Sequence, residues 1–221
     1  MKKIFLSICV ATFLISCNNV QKESEKTNTQ IEAAIDYTDV KDKSFDDLFQ
    51  NIDPTEIKDN VFKLVGQDYS VITAGTDSAY NSMTASYGGW GQLFEKPTTW
   101  CILNANRYTL EFIKQEKKYT MSYFPDQFKE QVIAFGSKSG RNSDKMKETK
   151  FTSVKTPNGN LSYKEARLII ECKLVEITET NPNDFYTDES KAFIEKGIKD
   201  GNGKEYHKLV FGEITNVWIR K

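Results

Sequence analysis

The chain has 221 residues, with 30 Lys and Arg against 31 Asp and Glu and a formal net charge of −1. That balance excludes the basic footprint of a nucleic-acid binder, and with 38% hydrophobic and 12% aromatic residues the chain can bury a core. A single His, together with four Cys in no CxxC spacing, leaves no ligand set for a zinc site.

Met1, Lys2 and Lys3 precede an apolar run over residues 4–15 that ends in Ser16-Cys17. A charged start followed by a short greasy middle reads as an export signal. The run is shorter than the ~20 residues of a comfortable membrane span. Residues 1–16 are therefore expected to be a lipoprotein signal peptide, with Cys17 the lipidated first residue after cleavage. A secretory leader in which Cys17 is incidental is the alternative. Residues 17–43 are expected to form the lipidated Cys and a flexible linker, because NNVQKESEKTNTQ after Cys17 is polar and has no apolar period. The expected location is the cell envelope, lipid-anchored to a bacterial membrane, with membrane contact through the anchor only.

The domain is placed at 44–221. Residues 31–57 read as a lead-in helix and loop: Phe45, Leu48, Phe49 and Ile52 have near-helical spacing, and Pro54 starts or stops a helix. From residue 60 onward, β-rich runs at 69–75, 98–104, 118–124, 166–178 and 208–220 alternate with turn signals such as Pro157-Asn158-Gly159. Helical stripes are expected at 108–115 and 126–136. No strand-helix-strand unit repeats behind a glycine-rich turn, so the fold class is mainly β with helical insertions, a closed or partly closed barrel. Cys101 and Cys172 each sit in an apolar strand-like run, compatible with one disulfide or with two buried thiols.

Three segments carry candidate chemistry. In Asn81-Ser82-Met83-Thr84-Ala85-Ser86, read as extended, Ser82, Thr84 and Ser86 share one face, a row of hydroxyls that could bond a polar heterocycle or phosphate. Gly88-Gly89 would let backbone approach a ligand. A solvent-facing polar strand is the plainer reading of the same spacing. Arg107-Tyr108-Thr109 falls where a strand passes into a helix, which makes an anion site with Arg107 as the phosphate clamp. Ser139-Gly140-Arg141 and Lys145 form a second cationic loop entering a helix.

In the order NSMTASYGGWG (81–91), NRYT (106–109), GSKSGRNSDK (136–145), EARLIIECKLVEI (165–177) and YHKLVFGEI (206–214), these segments resemble the flavin reductase-like proteins, including the flavoredoxins, over about residues 60–220. The resemblance implies an FMN-binding split β-barrel of six-stranded type, a homodimer, with FMN held non-covalently. It implies that Asn81, Ser82, Met83 and Thr84 line the isoalloxazine, with Ser86 close by. Arg107, Tyr108 and Thr109 would hold the phosphate, and Ser139, Gly140, Arg141 and Lys145 would complete the contacts. His207 matches a Tyr-His pair that approaches the flavin. Tyr87 stands where many relatives have Trp, and Asn104-Ala105-Asn106 replaces a stretch containing Arg-Pro.

The implied function is an FMN-binding oxidoreductase that passes electrons from NAD(P)H or another donor to a flavin, a metal chelate or a protein, with the hard chemistry supplied by the cofactor. A carrier without NAD(P)H turnover is included in that reading. The alternative is a non-catalytic lipoprotein module that binds flavin or another heterocycle.

Overall fold

The computed structural model describes Tyr37 and residues 39–201 and 207–221. The expected leader, the lipidated Cys17 and linker residues 18–36 lie outside the described residues. The chain divides into units 1–38 and 39–221, and everything below concerns the second. No helix among the described residues is long and apolar enough to cross a membrane.

Ser44 and Asp47 form a reciprocal capping box that starts a one-turn helix, α1 (Phe45–Leu48). The expected lead-in helix ends there. Phe49–Ile52 is instead a strand, β1, paired antiparallel with the chain's last strand. The apolar spacing in this stretch is helical, and pairing with the last strand overrides it from Phe49 onward. Asp53 then caps a 3₁₀ turn with Pro54 at its first position, where the missing N–H costs nothing. A helical turn, α2 (Val61–Lys63), and a wide turn over Leu64–Asp68 lead into the sheet.

The strands are β2 (Ser70–Thr76), β3 (Ala79–Ala85), β4 (Gly88–Leu93), β5 (Lys96–Leu103), β6 (Lys118–Tyr123), β9 (Leu168–Glu179) and β10 (Lys208–Arg220), while β7 (Ser153–Lys155) and β8 (Leu161–Tyr163) form a separate hairpin. The main sheet has the order β3-β2-β6-β9-β10-β5-β4, with β1 also on β10. All its pairings are antiparallel. β3 and β4 end the path and are not hydrogen-bonded to each other, so the barrel is split rather than closed. The sheet carries eight strands where the resemblance implies six. β10 accommodates one of the two additional strands, β1, because one of its edges serves β5 through Lys208–Glu213 and then β1 through Val217–Arg220.

Both faces of the central strands are buried, and successive residues supply two cores. Ile72, Met83, Cys101, Tyr119, Met121, Ile170 and Val210 point into the barrel, where Leu110 and Ile113 of α3 (Tyr108–Glu116) close it. Each of those two side chains contributes roughly 1.5–3 kcal/mol by burial. On the other face Val71 and Ile169 meet Val132 and Phe135 of α4 (Lys129–Ser137), together with Phe45 and Tyr163. Cys101 and Cys172 are free thiols in the inner core. Burial pushes Cys172 up to about 12 and Cys101 higher, so neither is a nucleophile.

The hydroxyls of the outer face are consumed within the protein. Ser82 Oγ lies 2.8 Å from Thr73 Oγ1 and 2.7 Å from Tyr163 Oη, and Ser122 Oγ lies 2.7 Å from Ser162 Oγ. These bonds tie β2, β3 and β6 to β8. Replacing Ser82 by Ala leaves Tyr163 and Thr73 short of a buried partner, which is expected to cost about 1–2 kcal/mol. The Tm should fall by roughly 2–4 °C for each kcal/mol, read by thermal denaturation, and an unchanged Tm would refute the interlayer role.

Candidate functional site

The other face of β3 supplies the site. Asn81 and Met83 project beside the start of α3 and the loop after α4, and together they line a cleft of about 260 Å³ with Asn106, Arg107, Tyr108, Thr109, Lys138, Ser139, Gly140, Arg141 and Lys145. Asn81 Nδ2 donates to Thr109 Oγ1 at 2.6 Å, fixing strand to helix. Arg107 is the N-cap of α3, and among the described residues its side chain makes no capping hydrogen bond. Free N–H groups and the positive end of the helix dipole therefore face the cleft.

The loop from 138 to 141 closes over this helix start. Arg141 donates to the Asn106 carbonyl at 2.8 Å, pairs with Glu111, and stacks with its guanidinium carbon 4.8 Å from the Tyr108 ring centre. Gly140 is required for the close approach: a Cβ there would lie 1.9 Å from Asn81 Oδ1. Asp144 caps the next short helix, α5 (Lys145–Thr149), through Lys147 N.

Four cations meet at the cleft, and two of them are neutralised. Arg141 pairs with Glu111, and Lys138 with Glu148 at 2.8 Å. Among the described residues, Arg107 and Lys145 have no carboxylate partner. Lys145 is 3% exposed, and its ammonium donates to the Phe135 carbonyl at 2.8 Å. Burial, then the nearby Arg107 charge, lowers it to about 8. The cleft thus presents two unpaired cations, an uncapped helix start and the hydroxyls of Ser139, Tyr108 and Thr109, a donor set suited to a phosphate.

The Lys145 shift has a testable sign. With its folded pKa near 8 against an ordinary 10.5, the unfolded chain binds more protons between those values, so this group's contribution to stability rises with pH across that window. Below pH 8 its burial penalty is fully present. Anion affinity moves the opposite way, because the ammonium is the ligand. Phosphate affinity, measured by calorimetry, is expected to weaken ~10-fold between pH 7 and 9.5, the value of one charge-assisted hydrogen bond. The profile should flatten in Lys145→Met, and a slope that survives the substitution would assign the titration elsewhere.

Not every expected residue reaches the cleft. Ser82 and Thr84 point to the opposite face, where Thr84 Oγ1 donates to the Val132 carbonyl and Ser82 makes the bonds described above. Ser86 lines a second, apolar groove. His207 lies outside the cleft lining, against Gly197 of α6 (Asp188–Gly201), where a Cβ would meet its Cε1 at 2.4 Å. Burial and the Arg107 charge lower its pKa, so the imidazole is neutral at pH 7. Its Nδ1 has no partner among the described residues. Gly88 and Gly89 serve strand pairing: a Cβ at Gly88 would lie 2.2 Å from the Trp100 carbonyl, and the space at Gly89 is filled by the Trp100 ring. Sequence reasoning missed Lys138, although it adjoins Ser139, and did not single out Asn106, which lines the cleft and whose carbonyl accepts from Arg141. Among the described residues no cluster of His, Cys, Asp and Glu could hold a metal ion.

Solved structures of other proteins share this architecture. An FMN-binding protein from Thermus thermophilus with bound 1-cyclohex-2-enone superposes with a TM-score of 0.53 at 18% identity, over 68% of this chain and 69% of that one. A flavoredoxin from Methanosarcina acetivorans gives a TM-score of 0.52 at 17% identity, over 68% and 67%. An NADH:FAD oxidoreductase from Streptomyces globisporus gives 0.51 at 13%, over 70% and 78%. At such identities the likeness establishes the split-barrel fold alone. No curated protein sequence matches the chain. Residues 62–221 match the sequence model described as the flavin reductase like domain. That span takes in β2 to β10, α3 to α6 and every residue lining the cleft, and the chain therefore belongs to the flavin reductase-like family.

Proposed function

We propose that this protein is an FMN-dependent oxidoreductase whose cationic cleft holds the FMN phosphate. The observation that supports this most strongly is the convergence of Arg107 and Lys145, neither neutralised by a carboxylate, on the uncapped start of α3. A phosphate dianion matches two unpaired cations, and helix N–H groups supply donors that no side chain occupies. At about 260 Å³ the cleft is smaller than the ~300–1,000 Å³ of whole-ligand pockets. It suits the phosphate end of the ligand.

When bound, FMN would supply two-electron redox chemistry between NAD(P)H or another donor and a flavin, metal chelate or protein acceptor. The chain's own part is to bind and orient. Arg107 and Lys145 fix the charged end, and Asn81 is held by Thr109 so that β3 keeps its distance from α3. His207, outside the cleft lining and neutral at pH 7, adds no charge to the site.

The same proposal includes the tether at Cys17 to a bacterial envelope membrane and pairing as a homodimer. Phe94, 78% exposed at the tip of the β4–β5 hairpin, offers an apolar contact for a second copy. Sedimentation tests the pairing, and mass spectrometry of the membrane-extracted protein tests the lipid. For the redox reading, the purified protein is mixed with FMN and its visible spectrum followed on adding NADH or NADPH under argon. Bound flavin that bleaches supports the oxidoreductase and names the donor. Bound flavin that stays oxidised with both favours a carrier fed by another donor. No flavin retained at micromolar FMN would sink the proposal and favour a module for another heterocycle.

A further inference from the structure

Met146 stands apart from the other methionines among the described residues. Met83 and Met121 are 4% and 2% exposed. Met146, the second residue of α5, is half-buried and lines an open groove of about 860 Å³ together with Tyr80, Lys150 and Phe151. This groove shares no lining residue with the cationic cleft.

The sulfur has a structural task. Tyr163 Oη lies 3.0 Å from Met146 Sδ and 2.7 Å from Ser82 Oγ, which in turn lies 2.8 Å from Thr73 Oγ1. A thioether carries no proton, so the direction of the chain is fixed: Thr73 donates to Ser82, Ser82 to Tyr163, and Tyr163 to the sulfur. All three hydroxyls belong to buried residues, and Met146 is the terminal acceptor that completes their bonding. The same side chain packs against the core that contains Phe135 and Tyr163, surroundings that favour a soft, uncharged sulfur.

Little else holds α5 in place. Five residues form no stable helix on their own, and besides Met146 the anchors of α5 are the buried Thr149 and the buried Lys145, whose ammonium donates to the Phe135 carbonyl. Lys145 is also the residue that α5 contributes to the cleft. The seat of Met146 and the position of the neighbouring cation are therefore coupled through one short helix.

We propose that Met146 is an oxidant-sensitive modification site, and that its conversion to the sulfoxide by a hydroperoxide loosens α5 and weakens the grip of the cleft through Lys145. The O–O bond of the peroxide breaks and one oxygen forms the S–O bond. The sulfur is oxidised by two electrons, and the other oxygen leaves, with the peroxide proton, as an alcohol or water. Oxygen added on the phenol side has no room within the 3.0 Å between sulfur and Tyr163. Oxygen added on the groove side makes the sulfur the positive end of a dipole, and Tyr163 loses its acceptor. Either product sets a polar group against the aromatic core. That the ligand so weakened is FMN rests on the flavin reading, whereas the oxidation and its effect on α5 do not.

The test exposes the purified protein to hydrogen peroxide and follows the chymotryptic peptide 136–151 by mass spectrometry. Met146 is expected to gain one oxygen at least ~10-fold faster than Met83 and Met121, because susceptibility follows exposure. The oxidised protein should lose ~2–4 °C of Tm, the value of one hydrogen bond lost from the core. It should also show faster amide exchange over 145–149 and bind FMN ~10-fold more weakly, with recovery on treatment with methionine sulfoxide reductase. Met146→Leu keeps the volume and starts from a lower Tm because it lacks the acceptor, and peroxide should leave its Tm and FMN affinity where they were. Equal oxidation of the three methionines, oxidation of Met146 that leaves Tm and exchange unaltered, or the same peroxide effect in Met146→Leu would overturn the proposal. So would FMN that binds the oxidised and unoxidised forms equally. FMN that binds neither form removes the flavin reading alone, since mass, Tm and exchange do not depend on it, and inorganic phosphate titrated in its place then reads the cleft.

Discussion

Removing both unpaired cations of the cleft, Arg107→Ala with Lys145→Met, is expected to weaken FMN binding by ~10²–10⁴-fold, at ~1.5–3 kcal/mol for each charge-assisted contact. Riboflavin, which lacks the phosphate, should bind the variant and the parent alike. That contrast carries the inference, because a misfolded site would lose both ligands. Arg107→Ala alone is the cleaner variant in folding terms, since its side chain makes no ion pair among the described residues, and it should cost ~10–100-fold. Lys145→Met also leaves the Phe135 carbonyl without its 2.8 Å donor, so some stability is lost with the charge. Flavin fluorescence titration reads all four affinities. Equal losses for FMN and riboflavin would show that the cleft does not hold a phosphate.

The second large effect falls on the fold. Gly88 has φ of +154°, and a Cβ there would stand 2.2 Å from the backbone oxygen of Trp100, the residue before its ladder partner Cys101 on β5. Backbone cannot move aside as a side-chain tip can. Gly88→Ala is expected to cost roughly 2–6 kcal/mol, the sum of backbone strain and overpacking, against a total stability of about 5–15 kcal/mol. Gly66→Leu, in open space, should cost almost nothing. Denaturant unfolding compares the two. β4 is an end strand of the sheet and contributes nothing to the cationic cleft, so a surviving Gly88→Ala protein should keep its phosphate site while losing the apolar groove. Equal stability of the two glycine variants would contradict the steric account.

Legibility differed from element to element. β2, β5, β6, β9 and β10 fall within two residues of their expected places, because β-branched and aromatic runs bounded by turn residues carry their own signal. The helices at 108–116 and 129–137 were equally plain from their stripes. The stretch Phe45–Ile52 was not, since its four apolar residues keep the helical period throughout and only the free edge of β10 makes the second half a strand. The hydroxyl row of β3 misled for a related reason. Alternation shows that Ser82 and Thr84 share a face but not what covers it, and here α4 and β8 do.

What the sequence determined by itself is local: the periods of strands and helices, the turn chemistry, and the cationic segments at 107–109 and 139–145 whose residue types suit an anion. Those properties depend on neighbours along the chain, so they can be read one segment at a time. Which face of β3 meets the cleft, which of four cations are left unpaired, and why Gly88 and Gly89 must be glycine were decided by the tertiary structure. Each depends on groups far apart in sequence, Asn81 with Thr109, Arg141 with Glu111 and Gly88 with Trp100, and a buried polar group or a missing Cβ takes its meaning from the atoms that the fold brings against it.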